Sequence, residues 1–552
     1  MRHILLLVSA FASLANGLEV IDREGDFHVV NTDIAPDGFQ RTAVLAGKTS
    51  DTPAFPGPLI KANKGDKFRI NVHDELTDLT MDRATTIHWH GLFQRGTNWA
   101  DGPDMVTQCP IVPGNSFEYR FAVPHQSGTY WYHSHFRAQY CDGLRGPLVI
   151  YDPNDPHKDL YDVDDENTII TLADWYHRPA PNVVASQISQ GPPSSDSTLI
   201  NGLGRWRLGN ETSPLAIINV EQGKRYRMRL VSLSCDPSYL FSIDSHNMTI
   251  IEADGESVEP HTVNKLDIFA AQRYSFILNA DQPVGNYWIR AVPQPANLQP
   301  QGFDKGINSA ILRYKGAENV EPDTTEATDV VMLRETDLHY LSPNGQSAVP
   351  GRPVPGGADL VLNLTLGFAP PATFMINGTP FAPPNVPVLL QILSGAQAAQ
   401  DLLPAGSVYT LPANQTIEIN FRNNNTPGDP HPMHLHGHSF DVVKSADSPV
   451  YNFKDPVGLK SLQRIHFLMY TVFVKVRRDT VAVAGNNITT IRFVSDNAGP
   501  WFLHCHIDFH LVDGLAVVLA EDTRDTKLAN PVPADWSELC PIWNNTDPSI
   551  RN

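Results

Sequence analysis

Eleven residues of this chain have the types and spacing of metal ligands. The densest group is Trp501-Phe-Leu-His504-Cys505-His506-Ile-Asp508-Phe-His510, an apolar stretch that follows the turn signal Gly499-Pro500 and predicts a β-strand running into a loop. Side chains alternate along a strand, so His504 and His506 face one way and Cys505 the other, and one short peptide can serve two metal centres. Thiolate and imidazole both suit Cu, Zn or Fe, so this group alone names no metal. His88-Trp-His90, His133-Ser-His135 and His434-Leu-His436 repeat the His-x-His spacing, with His431 three residues ahead of the last pair. A single such pair is more often a strand that happens to carry histidine. Four of them, one enclosing a cysteine, are beyond coincidence.

The elements that position these pairs recur three times. Gly65 to Val72, Gly223 to Leu230 and Asn414 to Phe421 are alternating strands, the first two entered from a glycine turn. Each is followed later by Gly128-Thr-Tyr-Trp131, Gly285-Asn-Tyr-Trp288 or Gly499-Pro-Trp501, and then by an apolar strand: Leu144 to Tyr151, Ser309 to Tyr314 and Gly514 to Leu519. Short strands, Gly/Pro/Asn turns and almost no helical periodicity predict an all-β chain of three consecutive antiparallel β-sandwich domains. The boundaries are placed at 18–154, 155–330 and 331–552. The first and third copies carry histidines after the Trp, whereas the second has Ile289-Arg290. The second domain therefore reads as a spacer, and a cluster that uses all four pairs must lie between domains one and three.

A chain of 552 residues, 41% of them apolar, has ample material for two to four cores. Met1-Arg-His, the apolar run Ile4 to Ala12 and small residues at Ala15 and Gly17 predict a secretory signal peptide over 1–17, and the run is too short for a membrane anchor. The mature protein is expected to be soluble, extracellular and monomeric. Five cysteines fit that compartment: Cys505 is the odd one, and Cys109, Cys141, Cys235 and Cys540 allow three pairings. Sequons at Asn210, Asn247, Asn363, Asn377, Asn414, Asn487 and Asn544 agree with secretion. A net charge of −19 argues against nucleic acid as a partner.

Taken together, His88-Trp-His-Gly91 with Thr97 to Pro103, Gly128 to His135, His431 to His438 and His504 to Leu511 closely resemble the multicopper oxidases. Among these they resemble the fungal laccases of basidiomycete type over essentially the whole mature chain. The resemblance implies cupredoxin-like Greek-key sandwiches and four copper ions. The thiolate (type 1) copper would be held by His431, Cys505 and His510. The single (type 2) copper would take His88 and His434. The coupled (type 3) pair would take His90, His133 and His506 on one ion and His135, His436 and His504 on the other. It also implies disulfides Cys109–Cys540 and Cys141–Cys235. Leu515 falls at the axial position, where a leucine cannot coordinate, and a middle-to-high potential follows. Asp101 and Asp508 match positions suited to proton relay, and Asp236 matches the carboxylate that takes the phenolic proton beside an exposed His510.

The implied activity is one-electron oxidation of phenols and related aromatic donors coupled to reduction of O2 to water, with lignin degradation or detoxification as the implied role. The alternatives are a ferroxidase, an ascorbate-oxidase-like enzyme, or a secreted copper-binding protein without turnover. The rim residues Gln294-Pro295 and Gln190 to Ser195 lack the aromatics often found there in that family. One stretch has no counterpart: the third copy is longer from Asn414 to Trp501 than the first from Gly65 to Trp131. Joining Asp455-Pro-Val457 to Arg477-Arg-Asp479 would give a continuous pattern, so residues 458–476 read as an insertion outside the shared core.

Overall fold

The computed structural model describes residues 18–190, 193–209, 213–294, 306–341, 349–424, 426, 430–448, 450–451 and 474–551. The leader read at 1–17, the sequon at Asn210, Pro295 and residues 458–473 lie outside the described residues.

Strands form where the sequence alternates: Lys67–Asp74 turns Phe68, Ile70 and Val72 inward and Lys67 and Arg69 outward. Three two-sheet sandwiches follow one another. In the first, the five strands Val20–Asp22, Leu59–Asn63, Arg145–Tyr151, Gly128–Ser134 and Ile87–His90 face Pro53–Ala54, Arg41–Gly47, Glu24–Ile34, Lys67–Asp74 and Ser116–Ala122. The second and third repeat the plan. The strand that carries the Trp motif is an interior strand each time. Gly128–Ser134 lies between Arg145–Tyr151 and Ile87–His90, Asn286–Gln294 between Ser309–Tyr314 and Ser238–Ile243, and Gly499–Cys505 between Ala516–Glu521 and His431–Leu435. Most neighbours are antiparallel, as expected. Parallel pairs occur where a strand returns by a crossover, as Glu24–Ile34 with Lys67–Asp74 and Leu360–Ala369 with Thr416–Asn423.

The chain closes on itself. The helix Ala534–Asn545 packs Trp536, Leu539 and Trp543 into the core of the first sandwich, and the disulfide Cys109–Cys540 fastens it there across 431 residues. Cys141–Cys235 ties the first sandwich to the second. The sequence reading gave no helix here, although Trp536, Leu539 and Trp543 fall at helical spacing. Ala180–Gln190 is a second helix that reading missed.

The proposed insertion needs a correction at its C-terminal end. Val474–Lys475 pairs with His339–Tyr340, Val476 is buried, and the Val476 carbonyl accepts from Val442 N at 3.2 Å. Residues 474–476 thus belong to the framework. Because 457 and 476 are both valine, either one completes the continuous pattern after Asp455-Pro456.

Candidate metal centre

Two strand pairs bring the histidines together. In the first sandwich His88 lies opposite His133 in the register of Ile87–His90 with Gly128–Ser134. In the third, His434 lies opposite His504 in the register of His431–Leu435 with Gly499–Cys505. Alternation sends the intervening residues the other way: Trp89 enters the core of the first sandwich, and Leu435 and Cys505 enter that of the third. A glycine at positive φ follows His90 and His436, the two pairs carried by Ile87–His90 and His431–Leu435. At Gly437 (φ 75°) a Cβ would lie 2.4 Å from the Trp501 ring, so only glycine lets the chain turn there.

The eight paired histidines line one buried cavity between the first and third sandwiches. Ligand nitrogens of His90, His133 and His506 lie within 4.8 Å of one another, as do those of His135, His436 and His504, and of His88, His90 and His434. Four of the rings are held through Nδ1 by a main-chain oxygen. His88 Nδ1 donates to the Asp101 carbonyl (2.7 Å), His133 Nδ1 to Ser134 (2.8 Å), His434 Nδ1 to Asp479 (2.9 Å) and His504 Nδ1 to Cys505 (2.9 Å). The opposite nitrogen is left without a partner in His88, His90, His133, His135, His434 and His506. Burial holds His90, His133, His135, His434 and His506 below their ordinary pKa, so these imidazoles are neutral with a free lone pair. Buried polar atoms without partners are rare, and six turned to one cavity fit a set of metal ions.

The second centre lies on the other face of the same strand. His431 Nδ1 and His510 Nδ1 stand 3.6 and 3.7 Å from Cys505 Sγ. His431 comes from the neighbouring strand and His510 from the short helix Asp508–Val512. Burial pushes the Cys505 thiol up and lowers His431 to about 4, so a cation is needed to hold the sulfur as thiolate. Phe374 stacks on His510 with ring centroids 4.1 Å apart. Leu515 is fully buried and belongs to the core around Cys505; its carbonyl accepts from Cys505 N at 3.0 Å. Two histidines and a thiolate beside an apolar neighbour make a donor set suited to copper that transfers electrons. His510 keeps 5% exposure against 0% for His431 and Cys505, so the ligand expected to be exposed is nearly closed over, yet it alone reaches solvent.

The carboxylates fall into different settings. Asp101 Oδ2 accepts from His436 Nδ1 at 2.9 Å, and its buried Oδ1 makes no hydrogen bond but lies 3.4 Å from His88 Nδ1. Asp508 is buried beside the Cys141 sulfur (3.6 Å), and burial raises its pKa well above the ordinary carboxyl range. Asp508 N donates to the Cys235 carbonyl at 2.9 Å, which joins the helix carrying His510 to the turn carrying Asp236. Asp236 itself is half-buried, and burial with the nearby Asp174 raises it to about 8. Sequence reasoning missed two residues of the cavity wall. Tyr140 places its hydroxyl 3.4 Å from His506 Nδ1, and Asp479 touches both His90 and His434. Asp479 appeared in the sequence only as part of a charged Arg-Arg-Asp run. That run, set in an apolar stretch, was the available signal.

Three family models described as multicopper oxidase match residues 31–155, 166–317 and 381–525. The chain belongs to the multicopper oxidase family. It is 55% identical over 543 residues to a laccase of Trametes hirsuta, covering 98% of this chain and 97% of that one. It is 54% identical over 553 residues to a laccase of Phlebia radiata, covering 100% and 99%. Among solved structures it resembles Fet3p, a multicopper oxidase that functions in iron import (TM-score 0.78, 27% identity, 94% and 95% covered). It also resembles the laccase of Botrytis aclada (TM-score 0.76, 30% identity, 96% and 93% covered).

Proposed function

We propose that this protein is a laccase: it oxidises phenols and related aromatic donors one electron at a time and reduces O2 to two waters. The observation that carries the reading is the geometry of 504–506, whose cysteine faces one donor set while its two flanking histidines face the other. The eleven ligands are assigned as one thiolate copper on His431, Cys505 and His510, one copper on His88 and His434, and a pair on His90, His133, His506 and His135, His436, His504. Copper, when bound, supplies one-electron transfer at the thiolate site and the reduction of O2 in the cavity.

The chain's own groups do the rest. The donor docks against His510, the one ligand of the thiolate site that keeps any exposure. Asp236, whose proton affinity is raised, takes the phenolic proton as the electron leaves. Cys505 is joined through the backbone to His504 and His506, so the path from one site to the other is covalent. Asp101, in contact with His436, and Asp508, held protonated by burial, supply protons to the cavity side. Leu515 offers no donor atom and so favours a middle-to-high potential.

The domain limits 18–154, 155–330 and 331–552, secretion after a leader at 1–17, glycosylation at the sequons and a monomeric state complete the proposal. Among the described residues no helix is long and apolar enough to cross a membrane. The test is oxygen uptake with a methoxyphenol and with Fe(II), alongside a copper count and the visible spectrum. A blue protein with four coppers per chain that prefers the phenol supports the reading. A protein that prefers Fe(II), or takes up no oxygen with either donor, overturns it.

A further inference from the structure

The second sandwich contributes no imidazole to the cavity, yet one of its side chains reaches the cavity wall. Arg273, at the start of the strand Arg273–Asn279, is fully buried. Its guanidinium meets the Asp479 carboxylate with both prongs: Nη1 donates to Oδ1 at 2.9 Å and Nη2 to Oδ2 at 2.7 Å. Its Nε donates to the Thr129 carbonyl of the first sandwich at 3.0 Å. One planar cation therefore touches all three sandwiches.

Asp479 in turn serves two cavity histidines. Its Oδ1 accepts from His90 Nε2 at 3.1 Å and from Thr480 Oγ1 at 2.9 Å, and its main-chain oxygen accepts from His434 Nδ1 at 2.9 Å. His90 differs from its neighbours: its unpartnered nitrogen is Nδ1, whereas His88, His133, His135, His434 and His506 leave Nε2 unpartnered. A ring that offers Nδ1 must carry its proton on Nε2, and Asp479 takes that proton's hydrogen bond.

A buried carboxylate cannot hold this post alone, because an unpaired anion in the interior is strongly unfavourable. Arginine neutralises it and fixes its plane, which a flexible ammonium does not. The pair is fitted tightly against the ligand strand. Gly91 follows His90 at φ 88°, and a Cβ there would lie 2.7 Å from Arg273 Nη2 and 2.8 Å from Asp479 Oδ2. Asp254 adds a second brace: its Oδ1 accepts from Arg273 N at 2.8 Å and its Oδ2 from Arg478 Nε at 2.9 Å.

We infer that Arg273 is a positioning residue of the cavity: from the sandwich without ligands it fixes Asp479, which holds His90 with Nδ1 turned to the metal. This rests on the reading of the cavity as a copper cluster. Arg273→Lys keeps the charge and loses the two-pronged contact; Arg273→Met loses both. Arg229→Lys is the control, because Arg229 is equally buried, binds Asp164 through two nitrogens and also touches Thr129, but meets no cavity histidine.

Each full-length variant is loaded with copper and dialysed against a chelator, and three quantities are read: copper per chain, the near-ultraviolet absorption of the coupled pair and the visible thiolate band. Arg273→Lys is expected to release cavity copper about 10–100-fold more readily than the unaltered protein and to lose the near-ultraviolet band, with the visible band retained. Arg229→Lys is expected to match the unaltered protein. Full copper retention by Arg273→Lys overturns the inference, and so does equal loss from Arg229→Lys. If Arg273→Met yields no folded protein, Arg273→Lys decides. An unaltered protein that holds no copper in the cavity overturns the functional reading itself, which separates the two failures.

Discussion

His90 of the first sandwich and His434 of the third stack face to face, with ring centroids 3.8 Å apart and planes 24° from parallel. No local rule brings these rings together. The contact exists because the chain folds back until its two end sandwiches share a wall, and the cavity is that wall. Asp479 bonds to both rings and fixes which nitrogen of each is free.

Cys505→Ser is expected to give a folded, colourless protein that keeps the cavity copper and oxidises nothing. The thiolate supplies both the colour and the covalent path. The visible spectrum, copper count and oxygen uptake check this together, and a blue or active variant contradicts the ligand assignment.

Leu515→Met is expected to lower the potential of the thiolate copper, because a thioether placed beside His431, Cys505 and His510 would stabilise the oxidised ion they would hold. Leu515 is fully buried beside Cys505 and the exchange nearly conserves volume, so the fold is retained. Redox titration reads the shift directly. An unchanged or higher potential would count against the axial placement.

Asp236→Asn is expected to slow phenol oxidation about 10-fold or more while leaving a donor that loses only an electron nearly unaffected. An amide cannot accept the phenolic proton. Equal losses with both donors would make Asp236 a structural turn residue.

Asp74 gives a pH signature far from the copper chemistry. It is fully buried, its Oδ1 accepts from Leu76 N at 3.0 Å, its Oδ2 has no partner, and burial raises it from 3.8 to about 8. The folded form therefore binds this proton more tightly than the unfolded chain. Stability from this group is present at acidic pH and falls as pH rises from about 4 to about 8. Asp74→Asn keeps the acceptor and removes the ionisation. The variant should match the unaltered protein near pH 4 and exceed it by on the order of 5 kcal/mol above pH 8. Denaturant unfolding across that range checks the sign.

Removing residues 458–473 should leave the blue colour and phenol oxidation intact, since the paired Val474–Lys475 and the buried Val476 stay in place. A product without copper would show that the segment is part of the working fold.

Much of this protein was legible before any coordinates. Ligand identity is a matter of residue type, and strand alternation alone sends Cys505 and its flanking histidines to opposite faces, so both donor sets and the all-β repeat could be read from the chain. The empty second copy also announced that the cluster must lie between the first and third. What sequence could not give were contacts between elements far apart in the chain. Asp479 and Arg273 look like ordinary strand charges until Arg273 of the second sandwich meets Asp479 of the third beside His90 of the first. The helix Ala534–Asn545 takes its meaning from the groove of the first sandwich into which Trp536 and Trp543 fit. Residue type and local alternation are properties of the chain itself. A hydrogen bond's partner, the free nitrogen of a ring and the desolvation that keeps it neutral depend on what packs beside it, and only the tertiary structure decides that.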